Sequence, residues 1–72
     1  MVTPNQIKDW IEAGLPGSEA VVEGDGHHFD AIVTCEDFAG KSMLQQHRMV
    51  YEALGDKMRE LIHALSIKTR VE

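Results

Sequence analysis

Four histidines, one cysteine and a scatter of carboxylates are the side chains of this sequence best able to bind a metal or move a proton. Their positions divide them. His27 and His28 follow the tripeptide Gly24-Asp25-Gly26, and His63 comes just before the final segment of the chain. His47 falls in an apolar stripe between Met43/Leu44 and Val50/Tyr51, and Cys35 stands in an alternating run. Imidazole is the commonest metal ligand at neutral pH and binds through one nitrogen lone pair. A lone cysteine excludes an internal disulfide and a CxxC knuckle. The chain has no P-loop, no dinucleotide fingerprint and no nucleophile elbow. Ser42 has no base beside it in sequence, and a helix-capping role accounts for it. Nothing here points to an enzyme.

The elements that must position these groups are well punctuated. Thr3, Pro4 and Gln6 read as N-cap, first helical residue and the far side of a capping box. Ile7, Trp10 and Ile11 give that helix an apolar face, and Gly14 and Pro16 close it. Residues 19–23 predict a strand and Gly24-Asp25-Gly26 a turn. From Phe29 the chain alternates, with Phe29, Ala31, Val33 and Cys35 on one face and Asp30, Ile32, Thr34 and Glu36 on the other. A second capping box, Ser42 with Gln45, starts a helix whose expected apolar stripe is Met43, Leu44, His47, Val50, Tyr51 and Leu54. Asp56 is expected to cap a short third helix carrying Met58, Leu61 and Ile62. Leu65, Ile67, Thr69 and Val71 alternate with Ala64, Ser66, Lys68 and Arg70 as a last strand. The order is α-β-β-α-α-β: one α/β (α+β) domain over residues 1–72, with a three-stranded mixed sheet and helices on one face.

This order has a consequence for the histidines. If strands two and three are neighbours, the helical crossover makes them parallel, and their N-terminal ends share one edge of the sheet. His28 precedes strand two, His63 precedes strand three, and the hairpin turn lies at the same edge. Topology therefore brings His28 and His63 together, with His27 as the alternative to His28. Adjacent residues of an extended chain point to opposite sides, so one of His27 and His28 is expected to face the site. At ~3.3 Å per residue, Cys35 lies roughly 23 Å from His28 and is expected to be a packed strand residue.

Two imidazoles alone make an incomplete site, because structural zinc takes four protein ligands and catalytic zinc three. Asp25 is available as a carboxylate for a weak zinc site. Rieske centres set a precedent for an iron held by two histidines while thiolates serve the rest of the cluster. On that reading a partner brings the sulfur. The alternative is that these are loop histidines hydrogen-bonded to backbone or water. His47 reads as a half-buried histidine bonded inside the fold.

The formal net charge is −5, with hydrophobic content of 43% and charged content of 26%. This composition is that of a folded globular chain. An acidic balance disfavours a partner held through phosphates. A DNA-binding reading would rest on Lys57, Arg59, Lys68 and Arg70. No basic patch followed by an apolar run opens the sequence, and no segment approaches the ~20 apolar residues of a membrane span. With a single cysteine, a reducing, cytoplasmic setting is the expectation.

The motifs together suggest a family. Phe38-x-Gly40 followed by His47-Arg48-x-Val50-Tyr51 resembles the signature of the BolA family. Gly24-Asp25-Gly26-His27-His28-Phe29 is similar to the hairpin loop of its histidine-type members, in particular the short IbaG-like branch. Ile62-His63-Ala64-Leu65-Ser66-Ile67-Lys68 is similar to the family's closing strand. The resemblance runs from about residue 5 to residue 70. It implies a class II KH-like fold, heterodimers with monothiol glutaredoxins, and a shared [2Fe–2S] cluster in iron–sulfur trafficking or iron and redox regulation. In such complexes glutathione and the glutaredoxin cysteine supply sulfur, while a loop histidine and the histidine before the last strand supply nitrogen. Carried over, these are His28 (or His27) and His63, with no cofactor expected in the isolated chain. It also allows a homodimer, and a transcriptional-regulator role of the kind associated with some relatives. Two features depart from the pattern: Gln46 stands where a basic residue often precedes the signature histidine, and the sequence ends at Glu72, where many members continue into another helix.

Overall fold

The capping boxes read from the sequence are both formed in the computed structural model, which describes all 72 residues. At the start of α1 (Pro4–Gly14), Thr3 Oγ1 accepts from the Gln6 amide at 3.2 Å, and the Gln6 side chain accepts from the Thr3 amide at 2.9 Å. Ser42 and Gln45 repeat the exchange at α2 (Met43–Leu54), at 3.1 and 2.9 Å. Each box satisfies two of the amides that a helix N-terminus otherwise leaves unpaired.

Three strands, β1 (Glu19–Gly24), β2 (His28–Thr34) and β3 (Ala64–Arg70), form one sheet in the order β1-β2-β3. β1 and β2 form an antiparallel hairpin. β2 and β3 are parallel, as the helical crossover requires, with His28 beside Ala64 and Thr34 beside Arg70. The fold is α+β, with α1 and α2 packed over one face of this mixed sheet. Phe29, Ala31, Val33 and Cys35 project from β2 and its end into the core, where they meet Ile7, Ile11, Phe38, Val50 and Leu54. Every buried residue of that cluster is apolar or cysteine. None of the helices is long and apolar enough to cross a membrane.

Glycine matters where α1 crosses α2. A Cβ placed on Gly14 would stand 2.7 Å from the Ala53 backbone, so the two helices approach as closely as they do because position 14 has no side chain. The expectation that Gly14 merely closes the helix understates its role.

Two local expectations are corrected. Along α2, Met43, Leu44 and Tyr51 are largely exposed, while Val50 and Leu54 are buried and Gln46, Met49 and Ala53 half-buried. The buried face is rotated toward α1 and the sheet, because α2 must serve both neighbours. Gln46 is the polar tie of this helix: its amide donates to the Phe38 and Lys41 carbonyls at 3.1 and 3.0 Å and accepts from the Thr69 hydroxyl. The second correction concerns α3 (Asp56–Glu60). Its N-cap is Gly55, at φ +57°, and no side chain caps it. Asp56 is the first helical residue, and its carboxylate accepts from Arg59 at 2.5 Å. Within that segment Ile62 is buried and Leu61 is exposed.

Candidate functional site

The turn between β1 and β2 is built on one side chain. Asp25 Oδ1 accepts the backbone amides of both His27 and His28 at 2.9 Å each. A short carboxylate bonding the backbone just ahead of it is the mechanism by which aspartate stabilises turns. These two bonds, that of His28 first, hold the Asp25 carboxyl below its ordinary range. Gly26 completes the turn at φ +100°, a region that side chains rarely adopt. The Asp25 amide closes the loop by donating to the His28 carbonyl at 3.2 Å.

Across the sheet, the Ala64 amide donates to the His27 carbonyl at 3.1 Å. This bond ties the segment bearing His63 to the one bearing His27 and His28. The His63 ring lies 5.8 Å from that of His27 and 6.4 Å from that of His28, edge-on to both. All three histidines are exposed. The edge predicted from topology therefore exists, and the structure brings both loop histidines to His63. The expectation that one would point away is corrected. His27 precedes the strand and lies in the bent turn, so strand alternation does not govern it.

These separations can be compared with a ligand geometry. With a metal–nitrogen distance of ~2.1 Å, two imidazoles on one tetrahedral ion have ring centroids about 5.3 Å apart. The observed separations, 5.8 and 6.4 Å, both exceed that spacing. The donor set is nitrogen only. No group of three or more histidine, cysteine, aspartate or glutamate side chains is placed to hold a metal ion. Asp25, considered as a third ligand, has the oxygen nearest the loop engaged by two amides.

The other chemically capable residues lie elsewhere. Cys35 is buried at the far end of β2, where its amide donates to the Arg70 carbonyl at 3.0 Å. His47 is half-buried on α2, and the internal hydrogen bond expected of it belongs instead to its neighbour Gln46. Lys57 sits on the helical layer with its ammonium 5.5 Å from the Trp10 ring centre, and Arg59 pairs with Asp56. Lys68 and Arg70 alternate with the inward residues of β3 and project from the opposite, uncovered face of the sheet. The four cations are thus dispersed over different sides. What the sequence reading missed was the bracing role of Asp25. A Gly-Asp-Gly turn followed directly by two histidines was the available signal.

Comparison with known proteins identifies the family. The family model for BolA-like proteins matches residues 12–72. Protein BOLA2 of Arabidopsis thaliana is 43% identical over 72 residues, covering 94% of this chain and 76% of that protein. BolA-like protein 1 of mouse is 41% identical over 54 residues, covering 75% of this chain and 39% of the mouse protein, so the chain spans about two-fifths of that relative's length. Among solved structures, a BolA homologue from Coxiella burnetii superposes with a TM-score of 0.92 at 55% identity, covering 97% of this chain and 91% of that one. The chain belongs to the BolA-like family.

Proposed function

We propose that this chain is the nitrogen-donating partner of a monothiol glutaredoxin, sharing with it a glutathione-ligated [2Fe–2S] cluster for iron–sulfur trafficking or iron and redox regulation. The observation carrying this reading is the rim itself: three exposed imidazoles gathered at one end of the sheet, with the only thiol buried at the other. Such a rim suits half of a ligand set. His63 and one of His27 and His28 would face one iron, and sulfur would have to come from a second protein and its thiol cofactor. The cluster would supply redox-active iron whose potential depends on its ligands, nitrogen ligation raising it relative to all-thiolate ligation.

The protein's own contribution is positional. The Asp25 turn fixes the backbone of both loop histidines, and the β2–β3 pairing fixes His63 beside them. All three residues are exposed, within reach of an incoming partner.

The test is to titrate the chain into a cluster-loaded, glutathione-bound monothiol glutaredoxin and follow visible circular dichroism. The wild-type chain should change the spectrum at a one-to-one ratio. The double variant His28→Ala/His63→Ala should leave it as glutaredoxin alone. Single His27→Ala and His28→Ala variants identify the loop ligand. A wild-type mixture spectrally identical to the sum of its components would remove this reading.

A further inference from the structure

The two outer strands of the sheet have different edges. On β1 the Ala20 amide donates to the Glu12 carboxylate of α1 at 3.0 Å, so that edge is partly capped. On β3 nothing plays this part. The Ala64 amide and the Arg70 carbonyl both bond on the β2 side, to His27 and Cys35. Main-chain groups alternate sides along a strand, so the amides and carbonyls of Leu65, Ile67 and Thr69 point outward, and no bond within the chain uses them. Such edges are ordinarily blunted by proline, a bulge or short length. β3 has no proline and pairs with β2 without interruption over seven residues.

A partly apolar wall stands over this edge. α2 sets Ala53 against Gly14 of α1 and buries Val50 and Leu54. Leu44 and Tyr51 lie about 100–120° round the helix from Val50, on the flank away from Ala53 and so from α1. Because α1 packs on β1, at the other side of the sheet, this flank overlooks β3. Leu44 is 63% exposed and Tyr51 40%. Beneath them Leu65 and Ile67 are half-buried, on the helix-covered face of β3.

The edge is also basic. Lys68 and Arg70 stand on the uncovered face of β3, and Arg48 lies between Leu44 and Tyr51 on α2. None of the three has a carboxylate partner, in a chain of net charge −5.

We infer that β3 accepts an extended segment of another protein, which alternates apolar with acidic residues and adds to the sheet as a further strand. Its main chain pairs with Leu65, Ile67 and Thr69. Its apolar side chains meet Leu65, Ile67 and the α2 wall, and its carboxylates lie beside Lys68 and Arg70, where opposite charges favour a cross-strand pair. A second copy of this chain fits poorly. Its β1 has the Ala20 amide committed to Glu12, and its β3 would bring like charges to Lys68 and Arg70. Nucleic acid would meet the cations but offer the outward amides and carbonyls no ladder. The groups involved take no part in holding a cluster, so the inference stands apart from the function proposed above.

The test titrates the full, isotope-labelled chain with a synthetic peptide alternating valine and glutamate, and follows the backbone amides by NMR. Those of Leu65, Ile67 and Thr69 should shift downfield and exchange more slowly with solvent. K68E/R70E and Leu44→Asp should each weaken binding about tenfold, with amide spectra showing that they are folded. A peptide alternating valine and lysine should leave these amides unmoved, as should the glutamate peptide N-methylated along its pairing side. Any of four results would overturn the inference. These amides do not respond to the glutamate peptide, or they respond equally to either control peptide. They move when the chain alone is concentrated, which gives the edge to a second copy. They move at lower concentrations of oligothymidine than of peptide, which gives it to nucleic acid.

Discussion

The two ends of β2 carry opposite kinds of residue. At its start His28 is exposed, beside His27 and facing His63 across the parallel strand. Beyond its other end Cys35 is buried, at 3% exposure, in the same apolar layer as Phe29 and Val33. One strand thus presents its polar chemistry to solvent at one end and encloses its only reactive sulfur at the other. The difference teaches that position along the element, and not residue type alone, decides which group can serve a partner. A thiol is the softer ligand, yet in this fold it is the imidazoles that a second protein can reach.

The core end should dominate stability. Phe29→Ala or Phe38→Ala removes a fully buried ring and should cost about 3–5 kcal/mol, enough to unfold so small a domain; chemical denaturation measures it. Gly14→Val forces atoms into the backbone of Ala53 and should cost about 1–3 kcal/mol by the same measurement. Cys35→Ala should cost about 1 kcal/mol and leave the glutaredoxin spectrum of the wild type unchanged. A changed spectrum would break the division between the two ends.

The rim should behave in the opposite way. His63→Ala removes an exposed side chain and should alter stability by no more than about 0.5 kcal/mol, while abolishing the spectral change. Loss of fold in this variant would show that the rim is structural. The smallest effect is electrostatic. Asp25 and Glu12 both have carboxyls held below their ordinary range, the first by the His28 and His27 amides, the second by the Lys8 ammonium and the Ala20 amide. The unfolded chain therefore takes up protons first as pH falls. Their contribution is complete above the ordinary carboxylate range and is lost as pH drops through about 4 and below. Thermal melts across that interval should show a shallower decline in Asp25→Asn and Glu12→Gln than in the wild type.

Much of this was legible in the residues. Both capping boxes, the hairpin turn, the inward set Phe29, Ala31, Val33 and Cys35, and the parallel pairing of β2 with β3 follow from local chemistry and a rule of chain connection. The shared edge of His28 and His63 follows from them. What was not legible depended on neighbours distant in sequence. The stripe of α2 misled because Met43, Leu44 and Tyr51 fit a helical period, but α1 and β3 approach from another side and take Val50, Leu54 and Gln46. Asp56 was misassigned because the sharp bend is made by the backbone of Gly55. Strand alternation lets only one of His27 and His28 face His63, but it does not hold in the Asp25 turn, where both rings lie near it.

The bond from the Ala64 amide to the His27 carbonyl joins distant stretches of sequence at the rim. Neither stretch brings the three rings together on its own, so a denatured copy has no such site. Anything captured by both stretches must therefore raise the melting temperature, by an amount that grows with the logarithm of the free ligand concentration over its dissociation constant. A thermal shift on adding a ligand would then measure affinity without any label. A ligand that left the melt unmoved at saturating concentration would be binding the folded and unfolded chain alike, and so would not depend on the folded rim.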